Sequence, residues 1–165
     1  MSILGVIIPK MEIEKQKEIF HKKYLEINKV FCPYIESDVI FNSDGFRHLI
    51  YASGDKKRND NSIAMRLKLV MSAKKLLECT TTLQEYFEDI VEIHTKVHNK
   101  PAIVKKRLIY WGFIGIIDNK WKIKVVVRKV GNGNPHFWSV IPNWVTSKKR
   151  DQKYMTTHVG DLEND

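Results

Sequence analysis

The sequence predicts an α+β domain in which amino-terminal helices pack on one face of a small antiparallel sheet, a meander formed by the carboxyl half. Three observations carry this. Apolar residues recur three and four apart as far as His94, and beyond Pro101 the chain turns to runs rich in Ile, Val, Tyr and Trp. Turn residues separate those runs, at Asp118-Asn119 and at Gly131-Asn132-Gly133-Asn134-Pro135. With 165 residues, 43% of them hydrophobic and 10% aromatic, the chain has the length of one domain and the composition of a compact core.

Met11 to Phe31 sets Ile13, Ile19, Phe20, Tyr24, Ile27, Val30 and Phe31 among alternating Glu and Lys, an amphipathic helical pattern that Pro33 ends. Val39-Ile40-Phe41 reads as a short strand. Asn42 or Ser43 then caps a helix over Phe46 to Ala52, with Phe46, Leu49 and Ile50 on its packing face and Arg47, His48 and Tyr51 elsewhere. Gly54 to Asn61 is a polar loop carrying Lys56, Lys57 and Arg58. Ile63, Leu67, Val70, Met71 and Leu77 mark the next helix, Ser62 to Glu78, with Arg66 one turn before Val70. Thr82-Leu83-Gln84-Glu85 matches a capping box, so Leu83, Phe87, Ile90 and Val91 are expected to line a further helix ending near His94. Strands are expected over Ile103 to Ile117, Lys120 to Val130 and His136 to Ile141. This divides the chain into a helical extension (1–37), an α+β domain (38–145) and a tail (146–165) whose lack of apolar periodicity predicts mobility.

Several classes are excluded by composition. No window approaches the ~18 uninterrupted apolar residues of a membrane span, so no membrane partner is expected. Ile3 to Ile8 has neither a basic start nor a cleavage site, which points to a cytoplasmic protein. Cys32 and Cys79 are far apart and are expected as buried, reduced thiols.

Charge is the more informative quantity. The net +9 comes from 28 Lys and Arg against 19 Asp and Glu, yet Lys100 to Arg150 alone holds twelve cations and one acid, Asp118, a local +11 that leaves −2 for the rest. Such concentration suits a polyanion, because each cation set against a phosphate gains attraction and releases counterions. Nucleic acid is the leading partner, with an acidic protein or an anionic surface as the rival.

Within Lys120 to Val130, strand alternation puts Trp121, Ile123, Val125 and Val127 on one face and Lys122, Lys124, Val126 and Arg128 on the other. The first face packs on helices; the second is expected to present its cations to phosphates, or simply to water. Pairing Arg128 with Phe137 would bring Phe137 and Ser139 beside the cations, whereas a slip of one residue would bring His136 and Trp138 there.

No metal or cofactor motif is visible. The basic half has only Asp118 as a carboxylate, too few for a two-metal site, and His94 and His98 lack a His-Glu-x-x-His context and read as helix-end residues. RNA can be cut without metal, because its 2′-hydroxyl attacks the adjacent phosphate when a base, an acid and stabilising cations are supplied. His48 is the acid/base candidate, Arg58, Arg66, Lys124 and Arg128 the stabilisers, and Ser139 a phosphate ligand or orienting group. Lys57, Lys122, His136, Phe137 and Trp138 are candidate RNA-binding residues. Local packing of His48, pairing of Arg66 with a helix-face acid and backbone bonding by Ser139 are the bland alternatives.

The order Phe41-Asn42-Ser43-Asp44-Gly45-Phe46-Arg47-His48-Leu49, Arg58, Arg66, Trp111-Gly112-Phe113, Lys122 to Arg128 and Phe137-Trp138-Ser139-Val140-Ile141-Pro142 resembles the phage-associated nucleases of the barnase, EndoU, colicin and RelE superfamily, over residues 38 to 144. That resemblance implies helices packed on an antiparallel sheet and metal-independent RNA cleavage by a toxin-type ribonuclease. It points to His48, Arg66, Lys124, Arg128 and Ser139, with Arg58, and to an acidic antitoxin or immunity protein as a further partner. A non-catalytic nucleic-acid-binding or accessory protein of a phage or mobile element is the alternative.

Overall fold

The computed structural model describes residues 10–118 and 121–142; the expected mobile tail lies outside them. Helix α1 (Lys10–Ile27) is followed by strands β1 (Lys29–Cys32) and β2 (Ser37–Ile40), helix α2 (Ser43–Ile50), a 3₁₀ turn at Ser53–Asp55 and helix α3 (Asp60–Cys79). Four strands complete the chain: β3 (Glu85–Val97), β4 (Lys100–Ile117), β5 (Trp121–Val130) and β6 (His136–Pro142). They form one six-stranded sheet in the order β1-β2-β6-β5-β4-β3. This is the expected α+β arrangement, with the carboxyl half an antiparallel meander. The sheet is larger than expected, because the amino-terminal β1–β2 hairpin joins it through a parallel contact of Ile40 with His136.

Two elements differ from expectation. Helix α1 stops at Ile27, and Asn28 at φ 58° turns the chain so that Val30 and Phe31 enter β1. The segment expected as a helix to His94 is strand β3, paired with β4 over all its thirteen residues. Its β-branched residues at Val91, Ile93, Thr95 and Val97 fit a pleated ladder, and of the expected capping pair Thr82 Oγ1 accepts from Gln84 Nε2 at 3.0 Å and Glu85 from Lys124 at 3.1 Å. His94 consequently sits in a strand and His98 in the following turn at φ 50°, so the helical spacing of the pair is lost.

The core lies between α3 and the sheet. Ile63, Leu67, Val70, Ala73 and Leu77 of α3 pack against Phe113, Ile123, Val125, Val127 and Val140, so the predicted helix-facing side of β5 is the observed one. Helix α1 contributes Tyr24, fully buried, whose hydroxyl donates to the Asn42 carbonyl at 2.6 Å and whose ring meets Phe41 and Phe137. Cys32 is buried as expected, but Cys79 at the end of α3 is exposed. No helix among the described residues is long and apolar enough to cross a membrane.

Candidate active site

The site is built by α2, the loop after it, α3, the middle of β4, the end of β5 and the first half of β6. Asn42 caps α2 by accepting from the Gly45 amide at 3.0 Å, which fixes the helix start. Gly45 then lets α2 touch β6, since a Cβ there would stand 2.1 Å from the Phe137 carbonyl oxygen. The turn after this contact delivers His48. Rather than lying outside the packing face, His48 is only 5% exposed, its ring stacked on Trp138 with centroids 4.1 Å apart and planes at 20°.

Trp138 reaches that position through a bulge. Arg128 pairs with His136 and Val127 with Phe137, but the register then shifts, so Val126 faces Ser139 and Lys124 faces Ile141. Trp138 is the extra residue of β6. Each of the two registers weighed from the sequence thus holds on one side of the shift, and His136, Trp138 and Ser139 all contribute near Arg128.

Three guanidinium groups surround the imidazole. Arg58, from the loop, donates Nε to the His48 carbonyl and Nη2 to His48 Nε2, both at 3.1 Å. Because a guanidinium only donates, Nε2 is the acceptor and the ring proton resides on Nδ1. Arg66, 7% exposed on α3, donates Nη1 to Ser139 Oγ at 2.6 Å and Nε to Ser62 Oγ at 3.3 Å, so Ser139 holds a cation in place. Arg128 lies over the Trp138 ring at 4.3 Å and the Tyr110 ring at 5.9 Å. Burial, reinforced by Arg58, Arg66 and Arg128, pushes the His48 pKa down to about 3, which leaves the imidazole neutral at ordinary pH. A cleft of about 510 Å³ opens at this point, walled by His48, Tyr51, Tyr110, Arg128 and Trp138, with Asp44 at its rim.

Other candidates are placed differently. Lys124 is on the expected face but is 1% exposed and bonded to Glu85 Oε2 at 3.1 Å, so it is not a cation presented to solvent. Gly112 stands between Glu85 and Val126 in the register and has no side chain to separate the pair. Phe137 is fully buried and stacked on Phe41 at 4.9 Å, which makes it core rather than RNA-facing surface. Lys122 is exposed but six residues along β5 from Arg128, about 20 Å away at the ~3.3 Å strand rise. Lys57 is exposed beside the Tyr51–Lys57 bridge. The residues absent from the sequence expectation are Tyr110 and Glu85. Tyr110 shares a face with Arg128 by strand pairing, a relation that follows once the β4–β5 turn is located; Glu85 needed β3 to be read as a strand.

Among the described residues, no group of three or more His, Cys, Asp or Glu is arranged to hold a metal ion. Comparison with protein-family models, curated proteins and solved structures finds no match.

Proposed function

We propose that the protein is a metal-independent endoribonuclease that cleaves RNA by 2′-hydroxyl attack, with His48 as the base. The observation that carries this reading is a neutral, buried imidazole packed on Trp138 and encircled by Arg58, Arg66 and Arg128. Arg128 in the wall of an aromatic-lined cleft, with Arg58 and Arg66 around the imidazole that also lines it, suits a phosphate flanked by a stacked base. A scissile phosphate competes for the guanidinium of Arg58, which otherwise occupies His48 Nε2. Once that lone pair is released it takes the 2′-hydroxyl proton, while Arg66, oriented by Ser139, and Arg128 stabilise the charge that builds on the phosphorane oxygens. Lys124 supports the sheet through Glu85 instead of touching the phosphate.

Mixed RNA incubated with the protein in EDTA is expected to yield fragments ending in 2′,3′-cyclic phosphate, and His48→Ala to abolish them while RNA affinity holds. The Arg58–His48 contact also favours a second reading, a protein that binds RNA at the arginine cluster without cutting it. Tight binding with no cyclic-phosphate product selects the second reading; no binding at low salt removes both.

A further inference from the structure

Strand β3 forms one margin of the sheet, and no strand among the described residues pairs with its outer side. The Arg107 carbonyl accepts from the Gly131 amide at 2.7 Å, so Arg107 and its cross-strand partner Ile90 turn their backbone groups away from one another. Alternation extends this to Tyr86, Glu88, Glu92, His94 and Lys96, which gives β3 six residues with peptide groups directed to the open side. There the Ile90 amide donates to the neighbouring Asp89 Oδ1 at 2.7 Å. The outer part of the hairpin also lacks a third strand. β5 follows β4 only as far as the Leu108–Val130 pair, so the eight pairs from Ile90–Arg107 to Val97–Lys100 stand as a two-stranded ribbon. Such a ribbon is marginal in water, and this hairpin exposes large apolar side chains: Ile90 at 68%, Ile103 at 60%, and also Tyr86, Phe87 and Val97.

We propose that this edge is a homodimer interface, in which β3 pairs antiparallel with β3 of a second copy and continues the sheet across a two-fold axis. Charge selects a second copy as the occupant. Open edges are commonly guarded by charges that repel an incoming strand, but here the acids Glu88, Asp89 and Glu92 precede His94 and Lys96 along the strand. Antiparallel self-pairing lays the acidic half of one copy against the basic half of the other, whereas an RNA strand along this edge would meet three carboxylates. A register centred on Val91 engages all six outward residues, with each Tyr86 opposite a Lys96, each Glu88 opposite a His94 and each Ile90 opposite a Glu92. The axis then stands normal to the sheet, and because Val91 lines the cleft, the clefts of both copies open on the same side.

Sedimentation of the full chain across micromolar concentrations is expected to give twice the chain mass. Hydrogen exchange should protect the amides of both even- and odd-numbered β3 residues; in a monomer only the odd-numbered ones, which bond to β4, are slow. Glu92→Pro removes one outward amide and no bond to β4, so it should sediment as a monomer with the odd-numbered amides still protected. Lys96→Glu makes both halves of the strand acidic and should weaken association by about tenfold at low salt, and by less at high salt. A wild-type chain that stays monomeric, a dimer whose even-numbered β3 amides exchange freely, or a Glu92→Pro chain with an intact β3 that still dimerises would each overturn the proposal. Should Glu92→Pro fail to fold, Lys96→Glu decides, and undiminished association in that variant overturns it.

Discussion

The imidazole of His48 and the indole of Trp138 lie face to face, 4.1 Å between centroids, and the same indole carries the Arg128 guanidinium at 4.3 Å. One aromatic plane therefore sets the distance between a neutral imidazole and a cation. Trp138→Ala should release both and lower stability by about 3 kcal/mol, whereas Trp138→Phe should retain stacking and most of the stability. Urea unfolding beside RNA cleavage checks this; cleavage by Trp138→Ala at the wild-type rate would contradict the positioning role of the ring.

The charge environment of His48 has a consequence for stability. The unfolded chain binds a proton at a histidine near pH 6.5, but folded His48 does so only near pH 3, so unfolding takes up a proton between these values. Stability is thus intact above about pH 6.5 and falls as pH drops toward 3, by up to about 1.4 kcal/mol per pH unit from this group. His136, also lowered, acts in the same direction. Denaturant midpoints measured across this range should fall less steeply in His48→Gln. Arg58→Ala should raise the His48 pKa, read by the NMR titration of its ring proton, because one of the cations opposing protonation is gone.

Helix α3 and the three long strands after Pro101 were legible because each has a single period matched to its burial: Ile63, Leu67 and Val70 along one helical stripe, Ile123, Val125 and Val127 along one strand face. Strand β3 was not. Leu83, Phe87, Ile90 and Val91 satisfy a helical stripe as well as a ladder, and pairing with β4, a contact between residues as far apart as Glu85 and Gly112, decided the outcome. In the site, the residue types were readable and their partners were not. Nothing near Lys124 in the chain announces Glu85, and the bulge that brings His136, Trp138 and Ser139 together near Arg128 is a property of two strands at once.

The Lys124–Glu85 pair makes a direct test of structural against phosphate-binding roles. Both partners are buried, at 1% and 9% side-chain exposure, so removing one takes from the other the opposite charge that it faces. Lys124→Met or Glu85→Leu alone should cost about 3–5 kcal/mol, while the two together should recover much of that loss. Guanidinium unfolding of the three variants gives the coupling. If Lys124→Met lost RNA affinity at unchanged stability, the lysine would belong to the phosphate contacts instead.

Gly45 is the point at which α2 is seated. A Cβ at that position would meet the Phe137 carbonyl oxygen at 2.1 Å and the Tyr24 hydroxyl at 2.6 Å, and the first of these is backbone held in the β5–β6 ladder. Gly45→Ala must therefore lift the helix off β6, at a cost of about 2–3 kcal/mol, and carry His48 away from Trp138. Loss of tryptophan-to-histidine nuclear Overhauser contacts, accompanied by a lower denaturation midpoint, is the expected result; a variant as stable as wild type with those contacts preserved would show that α2 is seated by other groups.

Lys122 and Arg128 share a strand face but should differ in their electrostatic behaviour. Lys122 is solvent-exposed, and at its distance of about 20 Å from the cleft it would meet only a more distant phosphate of an RNA lying along β5. Lys122→Ala should weaken binding alike for all sequences, reduce the slope of log affinity against log salt by about one, and leave the cleavage rate at saturating RNA unchanged. Arg128 sits over two aromatic rings at the cleft, so Arg128→Ala should lower that saturated rate as well. Titrations at several salt concentrations, paired with single-turnover cleavage, separate the two. An unchanged salt slope in Lys122→Ala would confine the RNA path to the cleft and remove the outer end of β5 from the interface.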